Sequence, residues 1–547
     1  MTAAERLRAR RPVRRLVALA LAALLGLAAC GGGGGGSDIP LTNPDVSTVA
    51  AADPGSALPA SWRAGPFMEI YVRGYQDSDG DGIGDLRGLI SRLDYLKDLG
   101  VTGLWLMPVT QSQDRDHGYA VSDYRAIERD YGSLADFDEL LKQAHARGIG
   151  VIIDYVMNHS GAQHPLFQHA RSGAGDPWRD WYLWQAAPPS GWSIYGGNPW
   201  RGTGNGSYYA PFWDQMPDFN LKNAAVVNWH HDNLRFWLNR GVDGFRFDAV
   251  GNLVENGLDA WLNQPQNYTL MHDVQTLVQG YAQRYMVCEA PDDPKGFAAL
   301  SGCGAAFAFG QQYDLVAAAR GDAAAVARVA AYYASAPAGL AGFASNHDSF
   351  AGQRLWDQLG GNAARLRLAA ATYLLQSGTP FLYYGEEIGM AGGAGLSGDW
   401  ALRTPMSWSA DTRRAGFTTG QPFRNLSANV ATQNVAAQQA DAGSLLNFYR
   451  QLIALRKVLP ALQGGSYAAA AASGAALQFR RVLGSETVWV GINYGSAPAT
   501  LSVSGLAANT TLQRHWPTGQ GDLQADARGA ASVTLPAQSF AVLRVGP

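Results

Sequence analysis

From Pro66 onward, short apolar runs alternate with stretches whose apolar residues recur at helical spacing. Residues 67–72 and 101–107 each read as a buried strand. Between them Leu89, Leu93, Leu96 and Leu99 fall three or four residues apart, the face of an amphipathic helix. The pattern continues with helices over 134–146, 226–240 and 363–376 and strands over 150–154, 242–247, 285–289, 307–309, 342–345 and 380–384. Short strands separated by helices predict an α/β fold with a parallel sheet and crossover connections. Asp154, Asp248, Glu289 and Asp348 fall at the C-terminal ends of such strands. In a (β/α)8 TIM barrel that rim gathers the chemistry. A doubly wound open sheet would carry a glycine-rich phosphate fingerprint, which is missing here.

Two regions break the alternation. Residues 159–220 are rich in Gly, Trp and Tyr and too long for an ordinary βα loop, so a small subdomain of about 159–218 is expected after strand 3. Past residue 443 a helix over 445–458 leads into alternating strands such as 477–482 and 487–492, with Gly, Ser and Asn turns. That reads as a C-terminal antiparallel β-sandwich over 444–547, leaving 61–443 for the barrel. At the other end, Arg6, Arg8, Arg10, Arg11, Arg14 and Arg15 precede an apolar run over 16–29 that is too short to span a bilayer comfortably. The run ends at Leu27-Ala28-Ala29-Cys30, which resembles a bacterial lipobox, so 1–30 is read as a lipoprotein signal peptide lipidated at Cys30. The paired arginines match a twin-arginine signal poorly. Six glycines and Ser37 then begin a flexible linker over 31–60. The expectation is an exported monomer held to the cell envelope only by its lipid, with the outer membrane favoured by Gly31.

Composition narrows the class. Hydrophobic residues make up 47% and charged residues 16%, the balance of a packed enzyme rather than a disordered chain. A net charge of −3 gives no footprint for nucleic acid. Any single one of the Trp residues is as well explained by core packing, but Trp178, Trp181, Trp184, Trp192, Trp200 and Trp213 cluster in the insertion, where sugar stacking is an alternative. With Cys30 set aside, Cys288 and Cys303 could pair, although Cys288 in a buried strand is expected to be an inert free thiol. The run from Asp77 to Asp85 alternates oxygen-bearing side chains with turn glycines, which suits a hard cation such as Ca²⁺. Its twelfth position is Gly88 rather than Glu, so it is not an EF-hand.

Four segments at strand ends carry a resemblance: Asp154-Tyr155-Val156-Met157-Asn158-His159, Gly244-Phe245-Arg246-Phe247-Asp248, Val287-Cys288-Glu289-Ala290 and Ser345-Asn346-His347-Asp348. In order, they resemble the signature regions of the α-amylase family of glycoside hydrolases. Segments 103–108, 216–220 and 378–387 agree, so the resemblance runs over about 66–547. It implies retaining cleavage of α-glucosidic bonds, with Asp248 as nucleophile, Glu289 as general acid/base and Asp348 on the sugar hydroxyls. Retention asks for two carboxyl groups roughly 5 Å apart, one ionised and one holding a proton. Arg246, two residues before Asp248 on the same strand face, can favour its ionised form. The resemblance further implies that His117, Tyr119, Asp154, His159 and His347 line the sugar subsite, with Tyr119 as a stacking platform. It also implies that Asp77, Asp79, Asp81, Asp85 and the carbonyl of Ile83 hold Ca²⁺.

The chain departs from the family at several points. Gly251 and Asn252 replace a Lys-His pair of many relatives, removing an outer-subsite pair and a carbonyl of a second calcium site. Ala120 stands where exo-acting relatives often have Asp, which predicts a more open cleft, whereas segment 403–408 resembles exo-acting α-glucosidases. Hydrolysis of α-1,4-glucans or maltooligosaccharides leads; transglycosylase, cyclomaltodextrinase or α-glucosidase action on the same site and a non-catalytic glycan-binding protein are the alternatives.

Overall fold

The computed structural model describes residues 41–546, so the leader, Cys30 and the glycine run lie outside the described residues. Eight parallel strands form one sheet: β1 (Phe67–Ile70), β2 (Gly103–Leu106), β3 (Gly150–Tyr155), β4 (Gly244–Phe247), β5 (Tyr285–Cys288), β6 (Ala306–Phe307), β7 (Leu340–Ala341) and β8 (Phe381–Tyr383). β1 pairs with both β2 and β8. A parallel bridge from Gly342 to Pro380 closes the ring between β7 and β8. The result is a (β/α)8 barrel.

The closing strands are shorter than the sequence pattern suggests. Residues expected as a strand over 342–345 lie beyond the ladder, which narrows to Gly342 N–H on Thr379 O (3.0 Å) and Phe381 N–H on Gly342 O (2.8 Å). Pro380 has no N–H to extend it. Along every barrel strand except the first residue of β5 all positions are buried, as expected for strands covered on both faces. Phe67, Trp105, Ile152, Val287, Phe307 and Phe381 fill the interior, with Trp62 packed on Phe67 at 5.4 Å.

Local chemistry sets the element ends that matter for the site. The helix Ala224–Arg240 is capped by the Asn223 side chain and stops at Gly241, which takes φ 102. Three residues later Gly244 opens β4 with φ 146, where a Cβ would lie 1.6 Å from Tyr285 O. Only glycine lets β4 approach β5 there, and those two strands carry Asp248 and Glu289.

After β3 the chain inserts a helix (Pro165–Ser172) and a three-stranded sheet of Trp184–Gln185, Gly206–Tyr209 and Trp200–Thr203 before the helix Ala224–Arg240. Past the helix Leu445–Val458, a six-stranded antiparallel sheet faces the pair Ala499–Val503 and Ala531–Leu535 around Trp489, Leu501, Val533 and Leu543. Two buried arginines fasten this C-terminal unit to the barrel. Arg456 donates to Leu374 O (2.7 Å) and Arg481 to Leu375 O (3.3 Å), carbonyls at the end of the helix Ala363–Leu375. Among the described residues no helix is long and apolar enough to cross a membrane.

Two expectations are corrected. The second half of the expected linker is seated on the barrel. Trp229 Nε1–H donates to Asp45 O (2.9 Å), Val49 N–H to Asp232 (2.9 Å), Ala52 N–H to Asn239 (2.8 Å) and Arg284 to Gly55 O (2.9 Å). Side chains of the helix Ala224–Arg240 thus satisfy the backbone of a segment that has no strand partner. Cys288 is not a free thiol but is disulfide-bonded to Cys303, which the fold brings back beside it 15 residues later. A closed loop of that length stabilises by about 3 kcal/mol. Replacing both cysteines by Ala is therefore expected to lower unfolding free energy in urea by about that amount, with no further loss on adding reductant.

Candidate active site

Arg246 projects from β4 into the barrel mouth at 1% exposure and meets three carboxylates. Its Nη1 lies 2.8 Å from Asp154 Oδ1 and 2.6 Å from Asp248 Oδ1, and its Nη2 lies 2.8 Å from Glu289 Oε2. Alternation along β4 gives this convergence, since Arg246 and Asp248 are two residues apart and face one way. Asp154 comes from β3, and Glu289 is the first residue beyond β5. Glu289 Oε2 also accepts the Ala249 N–H at 3.0 Å. The Trp105 ring covers the guanidinium at 5.1 Å and donates its Nε1–H to Asp154 Oδ2 at 3.2 Å.

A second charged group faces the first. His347 is buried; its Nδ1 lies 2.5 Å from Glu69 Oε1 and its Nε2 lies 3.0 Å from Asp348 Oδ2 and 2.8 Å from the Tyr119 hydroxyl. Tyr119 donates that hydroxyl to Asp154 Oδ2 at 2.9 Å, which ties the two groups together. Its ring stacks on His347 at 5.6 Å and on His117 at 5.7 Å. Arg403 caps Asp348 Oδ1 at 2.8 Å.

These contacts divide the proton-binding groups. Burial pushes Glu289 up to about 7, opposed by Arg246 and reinforced by Asp248 and Asp348. Burial also raises Asp248, with the Arg246 charge as the largest opposing influence. Asp154 is pushed up to about 6 by burial against the same guanidinium. Asp348 goes the other way: burial would raise it, but His347 and Arg403 outweigh burial and hold it below the usual carboxylate range. Burial would lower His347, yet Asp348 and Glu69 push it up to about 10, so the imidazole is a cation at neutral pH. His159 is lowered to about 3 by burial and is neutral, with Nε2 free of any protein partner. The arrangement sets a carboxyl pushed up to about 7, Glu289, beside one held ionised by its cationic neighbours, Asp348, the kind of division acid–base catalysis uses.

Every residue read from the sequence as part of the sugar subsite lies in this mouth or on its rim. His117 accepts the Tyr119 N–H on Nδ1 at 3.0 Å, and His159 packs on Phe212 at 5.5 Å. Glu69, Trp105, Arg403, Asp116 and Arg424 were not singled out as site residues. Glu69 did leave a signal, an ionisable residue inside an otherwise apolar strand. Arg424 left none, although its Nη2 lies 2.7 Å from Asp116 Oδ1, 308 residues away.

The loop after β1 gathers Asp77, Asp79 and Asp85, whose carboxylate oxygens lie within 4.8 Å of one another. Asp77 accepts the N–H groups of Asp79 (2.9 Å), Gly80 (2.7 Å) and Gly82 (2.9 Å). Among the described residues no Lys or Arg pairs with this cluster. Asp81 stands outside it and accepts the Ile83 N–H at 2.7 Å. Three convergent hard oxygens without a protein cation fit a divalent metal.

A barrel rim that carries this carboxyl set is the site of a glycosidase-type enzyme. The profile of the α-amylase catalytic domain matches residues 69–465, and the chain belongs to the α-amylase family of glycoside hydrolases. It is 34% identical over 407 residues to α-amylase 3 of Dictyoglomus thermophilum, covering 73% of this chain and 78% of that one. It is 31% identical over 502 residues to a probable α-glucosidase of Rhizobium meliloti, covering 80% and 90%. Among solved structures, an α-glucosyl transfer enzyme superposes with a TM-score of 0.77 at 30% identity, over 89% of this chain and 99% of the other.

Because the free enzyme's acid sets the basic limb of kcat/KM, that limb is expected near pH 7, where Glu289 loses its proton. Replacing Glu289 by Gln should abolish the limb and cut kcat on maltotriose by about 10²–10⁴-fold. A basic limb that survives in the variant would assign the proton to another group.

Proposed function

We propose that this protein hydrolyses α-1,4-glucosidic bonds of short, starch-derived maltooligosaccharides with retention of configuration. Asp248 attacks the anomeric carbon, Glu289 protonates the leaving oxygen and then activates water, and Asp348 holds sugar hydroxyls. The observation that carries the reading is Arg246 gripping Asp248 and Glu289 by its two terminal nitrogens, at 2.6 and 2.8 Å. One planar guanidinium keeps the two carboxyl groups close, which favours the separation of about 5 Å used in double displacement over the about 6.5–9.5 Å that leaves room for a water. His347, cationic and between Asp348 and Tyr119, supports binding of a neutral sugar whose hydroxyls replace water.

The preference for short substrates rests on the Asp348 side of the cleft. Tyr71 donates its hydroxyl to Asp116 Oδ1 (2.6 Å), Arg424 bridges Asp116 (2.7 Å) and Arg403 O (2.9 Å), and Arg403 reaches Asp348 (2.8 Å). This wall beside His117 and Asp348 supports recognition of a chain end. It stands where Ala120 suggested an open cleft; Ala120 itself is buried, its N–H taken by Asp114.

We further propose that Ca²⁺ is held by Asp77, Asp79 and Asp85, pinning the loop after β1 against segment 417–423. That segment already contacts it through Thr418 on Asp77 and through Gly82, where a Cβ would lie 1.9 Å from Gln421 O. Export and lipidation at Cys30 complete the proposal and rest on the sequence alone.

Product analysis on maltotriose and starch tests the function. Glucose and maltose should dominate from the earliest times, and Asp248→Asn should be inactive. Arg424→Ala should lower kcat/KM for maltotriose relative to soluble starch by about tenfold, equivalent to 1.4 kcal/mol of lost end recognition. Early release of long dextrins by the wild type would overturn the end-recognising reading. For the metal, calorimetric titration of chelator-treated protein should show one equivalent of Ca²⁺ and a raised Tm, both lost in Asp79→Ala. No heat and no Tm change would remove the site.

A further inference from the structure

At the opposite end of the barrel from Glu289, a cavity of about 430 Å³ opens between the strand starts and the C-terminal unit. Tyr285 of β5, Ala305 before β6, Gly339 before β7 and Thr379 before β8 form one wall. Gly465 and Arg481 close it from the C-terminal side, and Arg63 enters from the 3-10 turn Ala60–Ala64. That volume falls within the range of about 300–1,000 Å³ of small-molecule sites. None of the carboxyl groups of the cleft reaches it.

The charge of this cavity is of one sign. Arg63, Arg284 and Arg481 line it, and among the described residues no Asp or Glu does. Arg284 is partly balanced, with Asp53 at 3.6 Å and Asp243 at 3.9 Å. Arg63 is exposed, gives its Nη1–H to Arg284 O (3.2 Å) and pairs with no described carboxylate. Arg481 is 1% exposed and has no acidic partner among the described residues. Its Nη groups donate to Leu375 O (3.3 Å), Leu462 O (3.1 Å) and Gly465 O (2.8 Å), and its Nε–H has no acceptor. Next to it the buried Arg456 likewise holds carbonyls, those of Leu374, Gln376 and Gly378. Burial lowers Arg456 to about 9, and the neighbouring Arg481 charge adds to the effect. Carbonyl oxygens satisfy N–H groups but bring no net charge, whereas buried charges are ordinarily paired. A clamp on helix-end carbonyls accounts for the Nη bonds; it does not account for an opening edged by three guanidiniums and no carboxylate.

We propose that this cavity binds a small polyhydroxylated oxyanion, a sugar phosphate or a sugar acid, at a site separate from the carboxyl cleft. The anionic head meets the guanidiniums of Arg481 and Arg63, whose forked N–H groups match phosphate and carboxylate alike. The hydroxyls meet the amides of Gln275, Gln279 and Gln463, which line the same space. The ligand thus supplies the negative charge missing beside Arg481 and Arg456. Those two side chains hold the end of the helix Ala363–Leu375 to the C-terminal unit, so binding stabilises that joint. The cavity lies at strand starts and Asp248 and Glu289 at strand ends, so the ligand does not compete with a substrate in the cleft. The site stands whatever reaction the carboxyl groups perform.

The test is calorimetric titration of the full chain with glucose 6-phosphate, gluconate, inorganic phosphate and glucose, with Tm followed in parallel. One equivalent of glucose 6-phosphate or gluconate should bind and raise Tm with concentration. The tighter of the two identifies the head group, and inorganic phosphate should bind more weakly. Arg63→Glu should weaken the charged probes by about ten- to hundredfold, the worth of a charged hydrogen bond. Gln279→Ala should weaken the two sugar probes by about two- to tenfold. Both side chains are exposed, so the ligand-free Tm should stay at the wild-type value, and any binding of glucose in the cleft should be unchanged. Failure of every charged probe to bind the wild type overturns the proposal, as does undiminished affinity in Arg63→Glu. Competitive inhibition of α-glucoside cleavage by the bound probe would place it in the cleft and overturn it equally. An enzyme that binds the probe but cleaves no α-glucoside would overturn the proposed function and leave this site standing.

Discussion

Everything in the cleft depends on one buried cation. Arg246 is 1% exposed and meets three carboxylates, each of which would be costly to bury alone. Removing one partner from such a buried group costs on the order of 3–5 kcal/mol because the remaining charges stay uncompensated. The barrel makes the arrangement sustainable. β3, β4 and β5 deliver Asp154, Arg246, Asp248 and Glu289 from adjacent strands, and strand pairing fixes their spacing before any side chain moves. The His347 group then works as a counterweight. Glu69 and Asp348 hold His347 protonated, its charge holds Asp348 ionised, and Tyr119 hydrogen-bonds both groups. Chemistry that needs one neutral and one ionised carboxyl at the same pH is thereby set by placement alone.

What could be read from the sequence, and what could not, follows from the range of each interaction. Strand and helix periodicity is local, so the barrel strands and the helices between them are visible in runs of a few residues; the differences lie at ends such as 342–345, where Pro380 cuts the ladder, and at Arg92, where the helix expected through Leu89 to Leu99 divides into Leu86–Ser91 and Leu93–Leu99. Asp248 and Glu289 stand out because ionisable residues end apolar strands. The Asp116–Arg424 pair spans 308 residues, and nothing near either one announces the other. The seating of residues 45–55 on the helix Ala224–Arg240 escaped for a related reason: a Pro- and Ala-rich segment looks like a linker until the partner surface is known. The disulfide needed a return of the chain beside β5 that spacing could not establish.

The two ends of the cleft obey opposite constraints. Beside Asp348 the surface is finished with charge: Arg403, Arg424, Asp116 and the Tyr71 hydroxyl satisfy one another. Under the proposed function these fixed ion pairs would reward a substrate that ends there over a continuing polymer. Beside Glu289 the surface is finished with rings, and rings discriminate weakly among sugars because each pyranose offers an apolar face. Under the proposed function such a site would be strict about the sugar held by Asp248 and permissive about the leaving group, with its specificity concentrated on one side of the broken bond. Under the proposed function the covalent half of the reaction is set by Arg246 and its partners on adjacent barrel strands, while the surface beyond Glu289 comes from the insertion that supplies Tyr195 and Phe212.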